Sequence, residues 1–186
     1  MDAPSTAPRN AADLCERIEL SDEARSMLGD YLTPLEFMSL LVEKEKFGDA
    51  IRVLAHLLPK RVAAWWACRC ARQAAGQELP PRLESAIKAA ETWAGALNEE
   101  TRYAAFAQAN NAGLGTAAGC AAMAAFASAG SLASAGEPVV PPPEGLAAQL
   151  VSASVLMAAG QNPLDMANQI KTFLEEGRRL YEESPE

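Results

Sequence analysis

Three observations predict an all-α protein. No stretch alternates apolar and polar residues at the period of two that a half-buried strand requires, and Val139-Val140 is too short to form one. Helix-start signals recur along the chain, as in Ser21-Asp22-Glu23, Thr33-Pro34-Leu35-Glu36 and Asn98-Glu99-Glu100-Thr101. Behind them apolar residues return every three or four positions, as in Ile51, Leu54, Ala55 and Leu58. The expected architecture is an irregular multi-helix bundle of about eight helices. Paired helices of similar length also suggest a helical-hairpin, solenoid-like stack, although no repeat recurs at a fixed spacing.

Residues 1–11, with Pro4, Ser5, Pro8 and Asn10, read as a flexible N-terminal arm. Residues 12–186 read as a single helical domain, with a Pro-rich linker at 130–143. Asp13 to Leu20 forms a short helix, and Ser21 caps a second that runs to Gly29. Thr33 and Glu36 have capping-box spacing and Pro34 falls at the first helical position; this third helix carries Leu35, Phe37, Met38, Leu41 and Val42 and ends near Phe47-Gly48. Asp49 opens a helix over 50–58. After the break at Leu79-Pro80-Pro81, residues 82–97 are helical, with Leu83, Ile87, Ala90 and Trp93 at core spacing. Asn98 caps a helix to Asn111, Gly113 and Gly115 bend the chain, and an alanine-rich helix covers 116–129 with Met123 and Phe126 as its bulk. Pro141-Pro142-Pro143 in the linker is a stiff polyproline segment. Residues 144–159 are helical, and Asn162-Pro163 starts the last helix, which ends near Tyr181.

Hydrophobic residues make up 49% of the chain, so it folds rather than remaining disordered. A formal net charge of −8 argues against nucleic acid and anionic membranes as partners, because both select cationic surfaces. The uncharged run from Ala104 to Gly136 is too rich in Ala, Gly, Ser and Asn to span a bilayer and suits a buried helix packed through small residues. Met1 to Asn10 lacks the apolar centre of a signal peptide. The cysteines are Cys15, Cys68, Cys70 and Cys120, and His56 is the only histidine. Cys68 and Cys70 diverge on a helix, so buried reduced thiols in a cytoplasmic protein are the simplest account.

The residues around which the chain is organised are 57–72. Pro59 suits a helix start, and a helix over 59–75 ends at Gly76. At about 100° per residue, Arg61, Trp65, Arg69 and Arg72 fall on one side with Cys68 beside them, while Val62, Trp66 and Cys70 fall toward another. The structural reading puts Trp66 in the core and Trp65 under arginine stems. The functional reading makes Arg61, Trp65, Arg69 and Arg72 a docking patch for a protein partner, because Trp and Arg dominate interface hot spots. There is no acid between Asp49 and Glu78, so this basic segment either pairs with the acidic C-terminal residues Glu175, Glu176, Glu182, Glu183 and Glu186 or meets an acidic partner.

Motifs with chemical potential are weak. Gly113-Leu114-Gly115-Thr116-Ala117-Ala118 has G-x-G-x-x-A spacing, but helix rather than a strand precedes it, which favours a helix–helix turn over a nucleotide site. Ser85-Ala86-Ile87-Lys88 lacks the companion motifs of serine acyl-enzymes. His56 has no identifiable catalytic partner, and Glu43, Glu45 and Asp49 with Lys44 and Lys46 read as a solvated charge cluster. No catalytic residue, cofactor or metal ligand is expected, and the chain is not expected to be an enzyme.

Thr33-Pro34-Leu35-Glu36-Phe37, Phe47-Gly48-Asp49-Ala50, Leu54-Ala55-His56, Leu58-Pro59-Lys60-Arg61 and Trp65-Trp66-Ala67-Cys68 resemble an uncharacterised all-helical family from Gram-negative bacteria. Ala118-Gly119 through Leu132 and Pro141-Pro142-Pro143 extend the resemblance over most of the chain past residue 30. The resemblance implies an association with type VI secretion, and hence a cytoplasmic adaptor or chaperone that holds an effector. The leading expectation is therefore a protein–protein interaction module. An acidic immunity protein that neutralises a basic toxin is the second reading, and an enzyme of unknown type is the third.

Overall fold

The computed structural model describes residues 10–29, 32–76, 78–134 and 136–184. Among these it is all-helical, with ten helices: α1 (Ala11–Cys15), α2 (Asp22–Ser26), α3 (Pro34–Glu43), α4 (Phe47–Leu57), α5 (Lys60–Ala75), α6 (Pro81–Ala96), α7 (Glu99–Ala112), α8 (Ala117–Phe126), α9 (Leu146–Ala159) and α10 (Met166–Glu183). The eight from α3 to α10 build the bundle. Of the expected arm, residues 1–9 lie outside the described residues. Asn10 and Ala11 do not belong to an arm: the Asn10 side chain accepts from the Asp13 N–H and caps α1, and Ala11 is fully buried.

The arrangement is a bundle around α8 rather than a stack of hairpins. In a solenoid each unit touches only its neighbours. Here α5 packs on α8 and α9 as well as on α6, and α10 returns to α4 and α5. All of α8 except Met123 is buried, and α5, α6, α7 and α9 surround it. Its small side chains let those neighbours approach closely. Gly119 marks the tightest point, where a Cβ would run into the Gly113 carbonyl oxygen. Ser154 on α9 satisfies its buried hydroxyl by donating to the Ala117 carbonyl at 2.8 Å.

The caps read from sequence form as expected at Ser21, Thr33 and Asn98, and Thr116, expected inside the helix, caps α8; each side-chain oxygen accepts from a backbone N–H three residues on. Thr33 and Glu36 complete a capping box. Several boundaries differ: α1 ends at Cys15 rather than Leu20, α2 at Ser26 rather than Gly29, α4 starts at Phe47 and α8 ends at Phe126; three further ones have a visible local cause. α3 stops at Glu43 because Glu45 adopts a left-handed φ of 57°. Its N–H then reaches the Val42 carbonyl, and that of Lys46 reaches Leu41, which is the Schellman pattern without its usual glycine. Leu97, with φ of 51°, ends α6 in the same conformation. α10 starts at Met166, not at Asn162-Pro163, because the Asp165 N–H closes a turn on the Asn162 carbonyl and leaves Leu164 fully exposed.

Polar side chains tie the bundle together at two buried points. Arg102 is 1% exposed. Its guanidinium donates to Glu99 at 2.8 and 2.7 Å and to the Phe126 carbonyl at 3.0 Å, and it lies over the Tyr103 and Phe126 rings. A cation is favoured there because the carbonyls at a helix C-terminus carry partial negative charge. Asp49 is buried, not part of a solvated cluster: it accepts from the Ser21 N–H and hydroxyl and from Arg52, which anchors the start of α2 to α4.

Three glycine substitutions should separate steric from conformational effects in urea unfolding. Gly119→Ala should cost the most, about 3 kcal/mol or more, because backbone cannot yield. Gly177→Ala should cost about 1–3 kcal/mol, since a Cβ would fall 2.7 Å from Leu54 Cδ2 and 2.8 Å from Trp66 Cε2. Gly95→Ala, in α6 with nothing within 4 Å, should instead stabilise by about 0.5–1 kcal/mol.

Candidate functional site

Helix α5 holds the residues singled out in the sequence, and the structure divides them into two groups. Trp66 is fully buried, and its indole N–H donates to the Phe173 carbonyl of α10 at 2.8 Å. That bond satisfies the one polar atom of a large apolar side chain and seats α10 on α5. The Gly177 backbone lies against the same indole.

Trp65, one residue earlier, faces outward and is 38% exposed. Arg61, one turn before it, is also exposed. Arg61 enters no ion pair among the described residues. These two form the open part of the predicted patch.

The other two arginines are engaged within the fold. Arg69 Nε pairs with Glu176 of α10, whose carboxylate is buried. Arg72 grips α6 with both edges of its guanidinium. It donates to Glu84 at 2.6 and 3.0 Å and to Glu91 at 2.8 and 2.9 Å. The two forks place four charge-assisted bonds on one side chain. The hydrogen bonds from Arg72 hold the Glu84 carboxyl below its ordinary range, and the glutamates raise the Arg72 guanidinium further. The four predicted contact residues are therefore not one free surface. Arg61 and Trp65 remain open, Arg69 is half-exposed over its carboxylate, and Arg72 is a clamp. Between the alternatives left open in sequence, the basic segment does pair internally, through Arg69 and Glu176; sequence could not reveal the Glu84–Arg72–Glu91 clamp, because its partners lie on a different helix.

Other candidate groups show no reactive geometry. All four cysteines are free and buried. Cys68 lies in the core rather than beside the arginine face, and burial pushes its thiol, like that of Cys70, far above the ordinary value. Buried thiols held protonated are poor nucleophiles. Among the described residues no group of His, Cys, Asp and Glu is placed to hold a metal ion. The Gly113–Ala118 motif is the turn between α7 and α8, with the Gly113 carbonyl packed against Gly119 where an anion would need open amides. Ser85 and Lys88 are exposed on α6.

His56 is more constrained. Its Nδ1 bonds the Arg52 carbonyl at 2.8 Å, which places the proton on Nδ1. Its Nε2 is buried against Gly145 without a hydrogen-bond partner among the described residues. Burial lowers its pKa, against the opposing effects of the Arg52 carbonyl and Glu144.

A family model for DUF6931, a family of unknown function, matches residues 37–181. The chain belongs to this family. The DUF6931 match spans α4 through α9, with most of α3 and α10, and so takes in the whole of α5 and both of its clamps. No curated protein and no solved structure matches the chain. Among the described residues no helix is long and apolar enough to cross a membrane.

Two pH effects follow. A histidine whose folded pKa is depressed resists protonation in the native state, so stability should decline as pH falls below about 6.5. His56→Asn, which keeps a donor for the Arg52 carbonyl, should remove this first decline in a series of urea titrations. The Glu84 contribution has the opposite origin: a depressed carboxyl pKa stabilises above the unfolded value and is lost as pH falls through the folded one. The stability difference between wild type and Arg72→Met should therefore be largest near neutral pH and shrink below about pH 4.3.

Proposed function

We propose that this chain is a protein–protein interaction module whose contact is centred on Arg61 and Trp65, and that it serves as an adaptor or chaperone accessory to a type VI secretion system. The observation that carries the binding reading is the division of α5. Its inner tryptophan is locked to α10 and its later arginines are paired, while Trp65 stands open beside Arg61, which has no ion-pair partner among the described residues. A half-exposed tryptophan on a rigid helix loses little conformational entropy on docking, and a neighbouring guanidinium adds charge recognition. That cation favours an acidic or amphipathic segment of the partner. The secretion role rests on the sequence resemblance described above. The reading includes no catalytic step. We assign the protein to the cytoplasm on the same reading, because four free thiols suit a reducing compartment.

An immunity role is the second reading, favoured by the net charge of −8, which suits a basic toxin. Co-expression with toxins encoded nearby separates the two, since immunity restores growth and an adaptor promotes delivery without restoring it.

The patch itself is tested by isolating the partner with the tagged full chain and titrating it, purified, against variants. The double variant Trp65→Ala, Arg61→Glu should bind at least about a hundredfold more weakly, equivalent to roughly 3 kcal/mol, with an unchanged melting temperature. A folded double variant that binds as tightly as wild type overturns the assignment.

A further inference from the structure

A second surface, separate from α5, lies in the connection between α8 and α9. Residues 130–134 and 136–145 have no regular secondary structure, yet hydrogen bonds hold this segment at both ends. The Ser131 hydroxyl accepts from the Ala133 N–H at 3.1 Å and from the Val140 N–H at 2.9 Å. The Leu132 N–H donates to the Val140 carbonyl at 2.7 Å, which closes the loop on itself. Tyr103 of α7 donates its hydroxyl to the Ala133 carbonyl at 2.9 Å, and the Leu146 N–H returns to Pro143 at 3.2 Å.

Between these anchors runs Pro138-Val139-Val140-Pro141-Pro142-Pro143. Each proline fixes its own φ at about −65°. Each also drives the residue before it into the extended region, which here covers Glu137, Val140, Pro141 and Pro142. The local conformation that satisfies both constraints is polyproline II, with about three residues per turn. Pro138 and Pro141 then share one edge, and Val140 and Pro143 share a second. All four side chains are exposed, and Val139 between them is 76% exposed. Val139 and Val140 are apolar and exposed, and among the described residues neither packs against the hydrophobic core. The two residues that flank the segment, Glu137 and Glu144, are exposed acids, and Glu144 also accepts from Arg17 at 3.4 Å in a solvent-exposed pair.

We propose that Pro138–Pro143 is a preorganised polyproline II ligand, presented to a partner protein whose groove is lined with aromatic side chains and flanked by basic ones. Aromatic rings pack on proline edges in this mode, and the fixed backbone leaves little entropy to lose. The acids at both ends supply the charge complement. This contact does not depend on the α5 reading: it uses different residues on a different segment.

The test uses the full chain in the producing cell with a photo-crosslinking residue at position 139. The crosslinked protein is then purified and titrated against wild type, Val139→Glu and Pro141→Ala. The expected result is a crosslink to one protein, retained in a Trp65→Ala chain. Binding should weaken by at least about tenfold in either variant, and also when the crosslinked aromatic residue of the partner is changed to Ala. Both substitutions are at exposed positions, so unchanged melting curves are expected and would confirm that only binding is affected. A chain that does not crosslink from position 139, that crosslinks only to lipid, RNA or a second copy of itself, or whose Pro141→Ala variant binds as wild type does, overturns the proposal.

Discussion

An α-helix built almost entirely of alanine, glycine and a few larger apolar residues has no charged side to turn toward water. Helix α8 is such a helix, and its enclosure is the constraint on which the bundle depends. Each neighbour covers part of it: α6 and α7 from one direction in sequence, α9 from the other, and α5 from further away. Small side chains give little buried area per residue, so the gain must come from many close contacts at high packing density. That requires backbone to approach backbone, as it does where Gly119 meets Gly113. A layer built in this way tolerates little change in volume.

Arginines secure the layer around that core. Arg102 ties α7 to the end of α8, Arg72 ties α5 to α6, and Arg69 ties α5 to α10. The three differ in burial, and so in what each achieves. Arg102 is enclosed and fully bonded, where an unpaired charge would be very costly. Arg72 and Arg69 keep their stems against the protein and part of their guanidinium groups in solvent, so they set the relative placement of helices more than they add net stability. Arg61, by contrast, has no such partner among the described residues. The distribution of acids decides which of the α5 arginines are paired within the fold and which is not.

The positions of helices were largely legible because caps and breaks are local chemistry. Thr33 with Glu36, Asn98 before two glutamates, and Pro80-Pro81 act within a turn or two of themselves. Two of the boundaries that differed are those where an unsuited residue adopts a left-handed conformation. Glu45 and Leu97 end their helices in this conformation, and neither carries glycine's signature. The candidate site was legible only in part. Helical spacing put Arg61, Trp65, Arg69 and Arg72 on one side of α5, and they do share it. Spacing could not show that Glu176, Glu84 and Glu91, at separations of 107, 12 and 19 residues, would take two of the four.

By itself, then, the sequence determined the fold class, the order of the helices and the composition of the helix that carries the two adjacent tryptophans, because these depend on interactions within a few residues. It also determined that the linker after α8 would be stiff, since proline restricts its own backbone. The tertiary structure alone decided that α8 lies at the centre, that Trp66 is the inner tryptophan bonded to α10, and that Trp65 and Arg61 are exposed. Those outcomes depend on which distant carboxylates and carbonyls arrive beside a side chain, and that is set only when the helices pack.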